Sequence, residues 1–313
     1  MVLLAILIAI PGAARTEEAA KAIVMITWRG LTPAEYSFAE KLDELGINAK
    51  IEYFDAERDQ TKLAGFLRER REDLQSKDLI YTFGTTATLT VQNFELETVP
   101  RVFNIVTDPV GVGLVPSLDA PPPGLTGAKM SLSPEVILDL LGNIHDLNTL
   151  AILFDPRESN AVAEADRLML AAEKRGIVPK LLRFAPDADE KDLQIASFQP
   201  ELASSDAVYV TSSSSYVAHH SVLREIIPED LVSVSSSTAY SEEDVTLVFG
   251  TEYRERGEAA ATLAAKILLE KVPAHSLPIN EIAASDATLF VNRNSKAAAA
   301  LQLENATNPV VYR

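Results

Sequence analysis

Short apolar runs alternate with longer amphipathic stretches along the chain from residue 22 onward. Such short runs are typical of buried strands, whereas apolar residues spaced three and four apart indicate a helix with one buried face. Phe38, Leu42 and Leu45 have this helical spacing, and Gly46 follows as a helix stop. The first third of the chain is predicted to form strands at 22–27, 49–53, 79–82 and 102–106 and helices at 33–45, 60–73 and 85–93.

The same alternation resumes after the Pro-rich segment 121–124. A strand is predicted at 125–130, and Ser133 and Pro134 are typical of a helix start. Further strands are predicted at 150–154, 178–182, 207–210, 231–234, 246–249 and 287–291, with helices at 158–175, 189–197, 216–227, 254–269 and 295–303. Because strands alternate with helices throughout, we expect an α/β protein made of two similar lobes, each built on a parallel sheet.

Composition narrows the possible partners. The chain has 313 residues, which is long enough for two domains, and its formal net charge is −17. This charge opposes binding to nucleic acid and to anionic lipid headgroups, so neither is an expected partner. Because the chain has no cysteine, disulfides, thiolate metal sites, Cys nucleophiles and an N-terminal lipid-modified Cys are excluded.

The N-terminus resembles a targeting segment. Residues 1–10 are uncharged and apolar, and small residues precede a possible cleavage point after Ala14. We interpret residues 1–20 as a secretory signal peptide, although no Lys or Arg precedes the apolar run; a first buried strand is the alternative. No later stretch approaches the roughly 20 apolar residues of a membrane helix. We therefore expect a periplasmic protein without a lipid anchor and without membrane insertion.

Polar residues follow several predicted strands of the first lobe. In open α/β sheets ligands bind beyond the carboxyl ends of the strands, so the cleft between two lobes is the expected site. Trp28, the only Trp, follows the first strand and either contacts a ligand or packs in the lobe core. Thr85 and Thr86 follow Gly84 at a helix start, where free N–H groups and hydroxyls suit a carboxylate, unless they only cap the helix. Thr107 and Asp108 follow the fourth strand, and Asp108 either accepts from a ligand or holds the turn.

Three strands of the second lobe also end in short hydrogen-bonding side chains. Asn160 lies after the first of them, Ser212 and Ser213 after another, and Ser236 after a third. Serine runs are often flexible linkers. Here they stand directly between a predicted strand and the next segment, which favours a polar cleft wall.

Common catalytic motifs are absent from the sequence. It has no G-x-S-x-G, no phosphate-binding G-x-x-x-x-G-K-[ST] and no H-E-x-x-H, and the one G-x-G fails as a dinucleotide motif because Pro116 stands where a third Gly is needed. The adjacent His219 and His220 point in different directions on a helix and do not make a metal pair. We therefore expect no cofactor, no metal and no catalysis, although carboxylate-pair hydrolysis is not excluded by sequence.

Several longer segments carry a family resemblance that spans nearly all of 22–303. They are 99–118 (VPRVFNIVTDPVGVGLVPSL), 124–127, 83–87, 158–160, 206–210 and 250–268. In these segments the chain resembles substrate-binding proteins of ABC importers, particularly those for tryptophan, tyrosine and similar ligands. The resemblance implies the type I periplasmic binding protein fold, with two Rossmann-like lobes joined by a three-segment hinge. Lobe 1 then comprises 21–127 and 251–282, and lobe 2 comprises 128–250 and 283–313.

The resemblance also implies roles for matching positions. Thr85 and Thr86 would hold a carboxylate, Trp28 would contact the ligand side chain, and Asn160 and Ser212 would close from the other lobe. Relatives often carry Asp or Asn where this chain has Ser213 and Ser214, and Gly-Ile-Asp where it has 250–252, which ends in Glu252. A cleft richer in hydroxyls is less committed to an ammonium group.

The function implied is capture of a small ligand, an amino acid or related carboxylate, in the cleft and its delivery to the membrane subunits of an ABC permease. Two alternatives remain at this point. One is a sensory module that signals ligand occupancy to a kinase or receptor, and the other is a periplasmic hydrolase.

Overall fold

The computed structural model describes residues 20–94, 96, 98–240 and 244–313. The predicted signal peptide, apart from Ala20, lies outside the described residues. Within them, no helix is long and apolar enough to cross a membrane.

A sheet of five parallel strands forms from the first part of the described chain, in the order β2-β1-β3-β4-β5. The strands are β1 (Lys21–Thr27), β2 (Ala49–Asp55), β3 (Leu79–Phe83), β4 (Arg101–Val106) and β5 (Leu125–Lys129). The helices between them are α1 (Pro33–Glu44), α2 (Gln60–Glu69), α3 (Arg71–Gln75) and α4 (Thr85–Gln92). Apolar clusters on the two faces of the sheet make up the core of this lobe.

The second sheet contains seven described strands in the order β12-β11-β10-β9-β8-β6-β7. They are β6 (Thr149–Phe154), β7 (Val178–Arg183), β8 (Ala207–Val210), β9 (Val232–Ser235), β10 (Leu247–Gly250), β11 (Thr288–Val291) and β12 (Val310–Tyr312). All pair in parallel except β10 with β11, which is antiparallel. The helices here are α5 (Pro134–Ile144), α6 (Ser159–Lys174), α7 (Lys191–Ala203), α8 (Ser214–Ala218) and α9 (Ser221–Ile226).

Helix α10 (Tyr253–Leu268) returns the chain from β10 to the first lobe, where it packs against α1. A Cβ at Gly257 would lie 2.1 Å from the Ala34 carbonyl oxygen, so only glycine permits this close approach. After α10, Asn280 bonds to the backbone of β5 before the chain enters β11. The chain thus passes between the sheets after β5, after β10 and before β11. The lobe boundaries at 127/128, 250/251 and 282/283 stay a prediction.

Local capping signals explain where several helices begin. The Thr32 side chain accepts from the Ala34 N–H, and the Glu35 carboxylate accepts from the Thr32 N–H in return, a capping box with Pro33 at the first helical position. Asp59 and Ser133 cap α2 and α5 in the same general way. These signals are visible in the sequence, which is why the predicted starts of these helices lie close to the observed ones.

Two of the helices predicted in the second half of the chain differ from the observed structure. Residues 295–303 do not form an α-helix but short 3₁₀ turns at Lys296–Ala300 and Leu303–Asn305, because the Gln302 N–H donates to the Ile144 carbonyl of α5 and holds the chain out of helical register. The predicted helix 216–227 is broken between α8 and α9 at the two histidines. Strand β12 was not predicted.

Candidate functional site

The carboxyl ends of the two sheets face one cleft, and both lobes contribute to its walls. Seven of the ten predicted site residues line it: Trp28, Thr85, Thr86, Thr107, Asn160, Ser212 and Ser213. The remaining lining residues are Arg29, Phe83, Gly84, Ile105, Met130, Glu158, Ser214, Val217, Ser237 and Tyr253. The cleft thus combines hydroxyl groups, an apolar surface and one arginine among its described lining.

The N-terminus of α4 is an open hydrogen-bonding end in the first lobe. Gly84 precedes it with φ 87, a left-handed conformation that favours glycine, and no side chain caps the helix. The first N–H groups of a helix have no partner within it. The Thr85 and Thr86 hydroxyls also have no protein partner in the described part of the chain. Together these groups fit a ligand carboxylate.

Trp28 and Arg29 extend the same wall from the end of β1. Trp28 packs at the edge of an apolar cluster of the first lobe and also lines the cleft, and its contact with a ligand stays a prediction. An Arg29 Nη2 donates to the Tyr253 hydroxyl at 2.9 Å, and the guanidinium lies 5.8 Å from the Phe83 ring centroid. Within the described residues, Arg29 has no carboxylate partner.

A bulge in β4 places an apolar side chain in the cleft. The register of β4 with β5 shifts between Asn104 and Val106, and Ile105 between them has φ 55. This is a strained backbone conformation for a β-branched residue. Bulges redirect side chains, and here Ile105 lines the cleft beside Met130.

Glu158 organises the opposite wall. Its Oε1 accepts from the Ser213 hydroxyl at 2.8 Å and from the Ser215 N–H at 2.7 Å, and its Oε2 accepts from the Ser214 N–H at 2.9 Å. The serine run is therefore the ordered start of α8, with Ser213 as its N-cap, rather than a linker. The Asn160 amide donates to the Ser212 carbonyl oxygen at 2.5 Å, which fixes the same loop from α6.

Behind this wall lies a buried carboxyl group, Glu164. It accepts from the Tyr209 hydroxyl at 2.6 Å, the Ser236 hydroxyl at 3.1 Å and the Ser212 N–H at 2.8 Å. Burial raises the pKa of Glu164, and the three hydrogen bonds oppose that rise. Ser236 thus lies behind the cleft wall and does not line the cleft.

Asp108 connects the two lobes. Its Oδ1 accepts from the Gly111 N–H at 3.0 Å and pairs with Arg167 of α6 at 2.6 Å. A Cβ at Gly111 would lie 3.3 Å from the Ala163 Cβ, so this turn lies directly against α6. The side chain holds its own turn and an arginine of the other lobe, while Thr107 beside it lines the cleft.

Glu252 lies at the start of α10, where its carboxylate pairs with the Arg313 guanidinium. It is not among the residues that line the cleft. The predicted set therefore divides into seven residues that the fold brings together and three, Asp108, Ser236 and Glu252, that it places elsewhere.

Sequence reasoning missed Arg29, Glu158 and Tyr253. Arg29 carried a usable signal, because it directly follows Trp28 at a strand end. Glu158 also lies after a strand, and it belongs to a segment, 158–160, that carries the family resemblance. Tyr253 begins a helix, and nothing local shows that this helix returns to the first lobe. No group of three or more His, Cys, Asp or Glu residues in the described ranges could hold a metal ion.

Comparisons with known proteins agree with this geometry. A tyrosine-binding protein of Clostridioides difficile (strain R20291) is 25% identical over 271 residues, which is 83% of this chain and 76% of the relative. An ABC domain from Streptococcus pneumoniae in complex with L-Trp has a TM-score of 0.73 at 19% identity, covering 92% of this chain and 100% of that one. A ligand-free, open substrate-binding protein with adhesive properties from Clostridium difficile has a TM-score of 0.71 at 21% identity, covering 94% of this chain and 99% of that one.

These structures confirm the predicted type I periplasmic binding protein fold. The model of one family, described as ABC transporter substrate binding protein, matches residues 21–308. The chain therefore belongs to the family of ABC transporter substrate-binding proteins.

Proposed function

We propose that this solute-binding protein captures a small carboxylate with an aromatic or branched apolar side chain and delivers it to an ABC permease. The observation that carries the proposal is the composition of the first-lobe wall. Its open α4 N-terminus and Arg29 provide positive potential at one place, and Trp28, Phe83 and Ile105 provide apolar surface beside it. A carboxylate on an apolar body satisfies both features.

Closure of the two lobes is the step that holds the ligand. A ligand shifts an open-to-closed equilibrium only through contacts that it makes more favourably in the closed state. Asn160 and Ser212 of the second lobe lie in the same cleft as Thr85 and Thr86 of the first. A ligand that touches both walls therefore favours closure, and the closed form is the one that we propose docks on the permease.

Two relatives support an amino acid or a chemically related acid as the ligand class. One is named a tyrosine-binding protein, and the other was solved with L-Trp. The proposal includes no catalytic step. We also propose that the protein works in the periplasm, on the basis of the apolar run at 1–10.

A thermal-shift screen tests this function. The purified protein is heated with amino acids, other aromatic and branched carboxylic acids, nucleosides and neutral sugars. A ligand at 100 times its dissociation constant stabilises the folded protein by about 2.7 kcal/mol, which is visible as a higher melting temperature. We expect stabilisation by carboxylates only. Stabilisation by sugars or nucleosides alone would contradict the proposed ligand class.

A further inference from the structure

The two charged side chains of the cleft differ in how far protein groups already bond to them. Among its described lining residues, Arg29 is the only Lys or Arg and Glu158 is the only Asp or Glu. Arg29 donates to a tyrosine hydroxyl and has no carboxylate partner within the described residues. Its positive charge is therefore available to a ligand.

Glu158, in contrast, is already occupied. Three donors from the serine loop bond to its two oxygens, two on Oε1 and one on Oε2. A carboxylate offers about four acceptor positions, so about one remains, on Oε2. An ammonium group carries three N–H donors. Glu158 can therefore accept only about one of these three donors without releasing the start of α8 that forms the cleft wall.

The other carboxylates at the nearby strand ends are also engaged. Asp108 pairs with Arg167, and the fully buried Asp155 pairs with Arg157. Glu164 accepts three hydrogen bonds behind the wall and does not line the cleft. Glu158, with about one acceptor position left, is therefore the only carboxylate among the described lining residues that faces a ligand cation in this cleft.

The outer mouth of the cleft contains a second arginine without a carboxylate partner in the described ranges, Arg58. Two of the three acidic residues of the mouth are held by Arg157, which bonds to Asp155 at 2.6 Å and to Asp187 at 2.5 Å. Arg157 accordingly lowers the pKa of Asp187. Arg58 is thus a positive group on the path into the cleft that is available to an anion, although the whole chain carries −17.

In the second-lobe wall, the hydroxyl of Ser212 also lacks a partner. Its Oγ is buried and makes no hydrogen bond within the described part of the chain, although Ser212 lines the cleft. A buried hydroxyl without a partner costs free energy unless a ligand supplies one. A hydroxyl donates a hydrogen bond to a keto oxygen, and with another hydroxyl it either donates or accepts one. Toward an ammonium group it is only a neutral acceptor, so it supplies no compensating charge.

We propose that the preferred ligand is a 2-oxo or 2-hydroxy carboxylic acid with an aromatic or branched side chain, rather than the matching α-amino acid. Arg29 and the α4 N-terminus take the carboxylate, and Ser212 takes the 2-oxo or 2-hydroxy oxygen. An α-ammonium at that position would have only the one remaining acceptor position of Glu158 as its anionic partner, so its desolvation would be compensated incompletely. This inference rests on the proposed function and specifies its ligand class.

Calorimetric titration with matched compounds tests it. Phenylpyruvate, phenyllactate and L-phenylalanine form one series, and L-leucine with its 2-oxo and 2-hydroxy analogues forms another. We expect an oxo or hydroxy acid in at least one series to bind at least about tenfold more tightly than its amino acid. Equal or tighter binding of the amino acid in both series overturns the inference and leaves the proposed function intact. If no compound of either series binds, the proposed function fails and the inference fails with it.

A pair of variants sharpens the result. Ser212→Asp introduces a carboxylate where the hydroxyl has no protein partner, and Ser212→Asn is the uncharged control of the same size. We expect Ser212→Asp to weaken phenyllactate and to move the preference toward L-phenylalanine by about tenfold, whereas Ser212→Asn leaves that preference near the wild-type value. A shift of the same size in both variants would show that charge does not set the selection and would overturn the inference. Circular dichroism confirms that both variants are folded.

Discussion

The two lobes each contain a buried glutamate bonded to a tyrosine on a neighbouring strand. In the first lobe Glu35 of α1 accepts from the Tyr81 hydroxyl at 2.6 Å, and in the second Glu164 of α6 accepts from the Tyr209 hydroxyl at 2.6 Å. Burial raises the pKa of both carboxyl groups. The remaining oxygen differs: in Glu35 it accepts from Thr32 at the start of α1, whereas in Glu164 it accepts from the Ser212 N–H of the cleft wall. The same buried pair therefore supports a helix start in one lobe and the binding loop in the other.

The facing walls of the cleft show a related difference. The first lobe presents groups that have no partner among the described residues, namely the Thr85 and Thr86 hydroxyls and the first N–H groups of α4. In the second lobe Glu158 and Asn160 are bonded to their own loop. We infer that the first lobe supplies most of the ligand's polar contacts, while the second supplies a preformed surface that closes over it.

The largest expected effect comes from Glu164→Gln compared with Glu35→Gln. Each change leaves buried donors facing an amide, which we expect to lower the free energy of unfolding by about 2 to 3 kcal/mol. Only Glu164→Gln should also weaken ligand binding, because only Glu164 holds the cleft loop. Urea unfolding and calorimetric titration of both variants measure the two effects. Equal loss of affinity in both variants would contradict the assignment of different roles.

The Thr85→Ala, Thr86→Ala double variant probes the open wall. We expect ligand affinity to fall by about 2 kcal/mol, roughly 30-fold, because hydrogen bonds to a charged carboxylate are lost. Stability without ligand should change little, since these hydroxyls have no protein partner in the described chain. Ser213→Ala is the comparison in the second lobe, where the hydroxyl caps α8 and bonds to Glu158. We expect that variant to lose stability as well as affinity.

A smaller effect is expected from breaking the ion pair between the lobes. Arg167→Met removes the ion-pair partner of Asp108, which lies in the other lobe. Arg175→Met removes an ion pair with Asp139 inside the second lobe. Because Arg167 is 40% exposed, we expect the closed state to lose about 1 kcal/mol. Ligand affinity should fall about fivefold in Arg167→Met and remain unchanged in Arg175→Met, with small-angle scattering showing a more open form of the first. Equal affinities would show that the pair does not favour closure.

The smallest expected effect concerns pH. Because the pKa of Glu35 and of Glu164 is raised by folding, these two carboxyl groups bind more protons in the folded protein than in the unfolded chain. Their contribution to stability is fully present below the unfolded pKa near 4.5 and is lost as pH rises through the folded pKa. The difference in free energy of unfolding between wild type and either Gln variant should therefore shrink as pH rises from the unfolded pKa through the folded pKa. Urea unfolding at several pH values measures it, and a difference that grows with pH would contradict the sign.

Most of the architecture could be predicted from local signals. The alternation of strands and helices, the caps at Thr32, Asp59 and Ser133, and the stop at Gly46 depend on neighbouring residues only. The predicted helix at 295–303 failed because a distant carbonyl, that of Ile144, bonds to Gln302. Alanine-rich sequence favours a helix, but tertiary contacts override that preference.

The strand-end rule found much of the cleft for a similar reason. In a parallel sheet the residues after each strand meet at one edge, so Trp28, Thr85, Thr107 and Ser212 were predicted together from position alone and do line one cleft. The roles assigned to the site residues stay a prediction.

The sequence by itself determined the fold class, the family and which chain segments face the cleft, because periodicity, capping and strand-end position are properties of short segments. Only the tertiary structure decided where individual polar side chains are engaged. Asp108 pairs with Arg167, which lies 59 residues further along the chain, and Ser236 bonds to Glu164, which lies 72 residues earlier. Protein groups therefore hold both side chains. Arg29 lacks such a carboxylate in the described chain. A side chain's partner is chosen by proximity in space, and it is the group without a partner that remains available to a ligand.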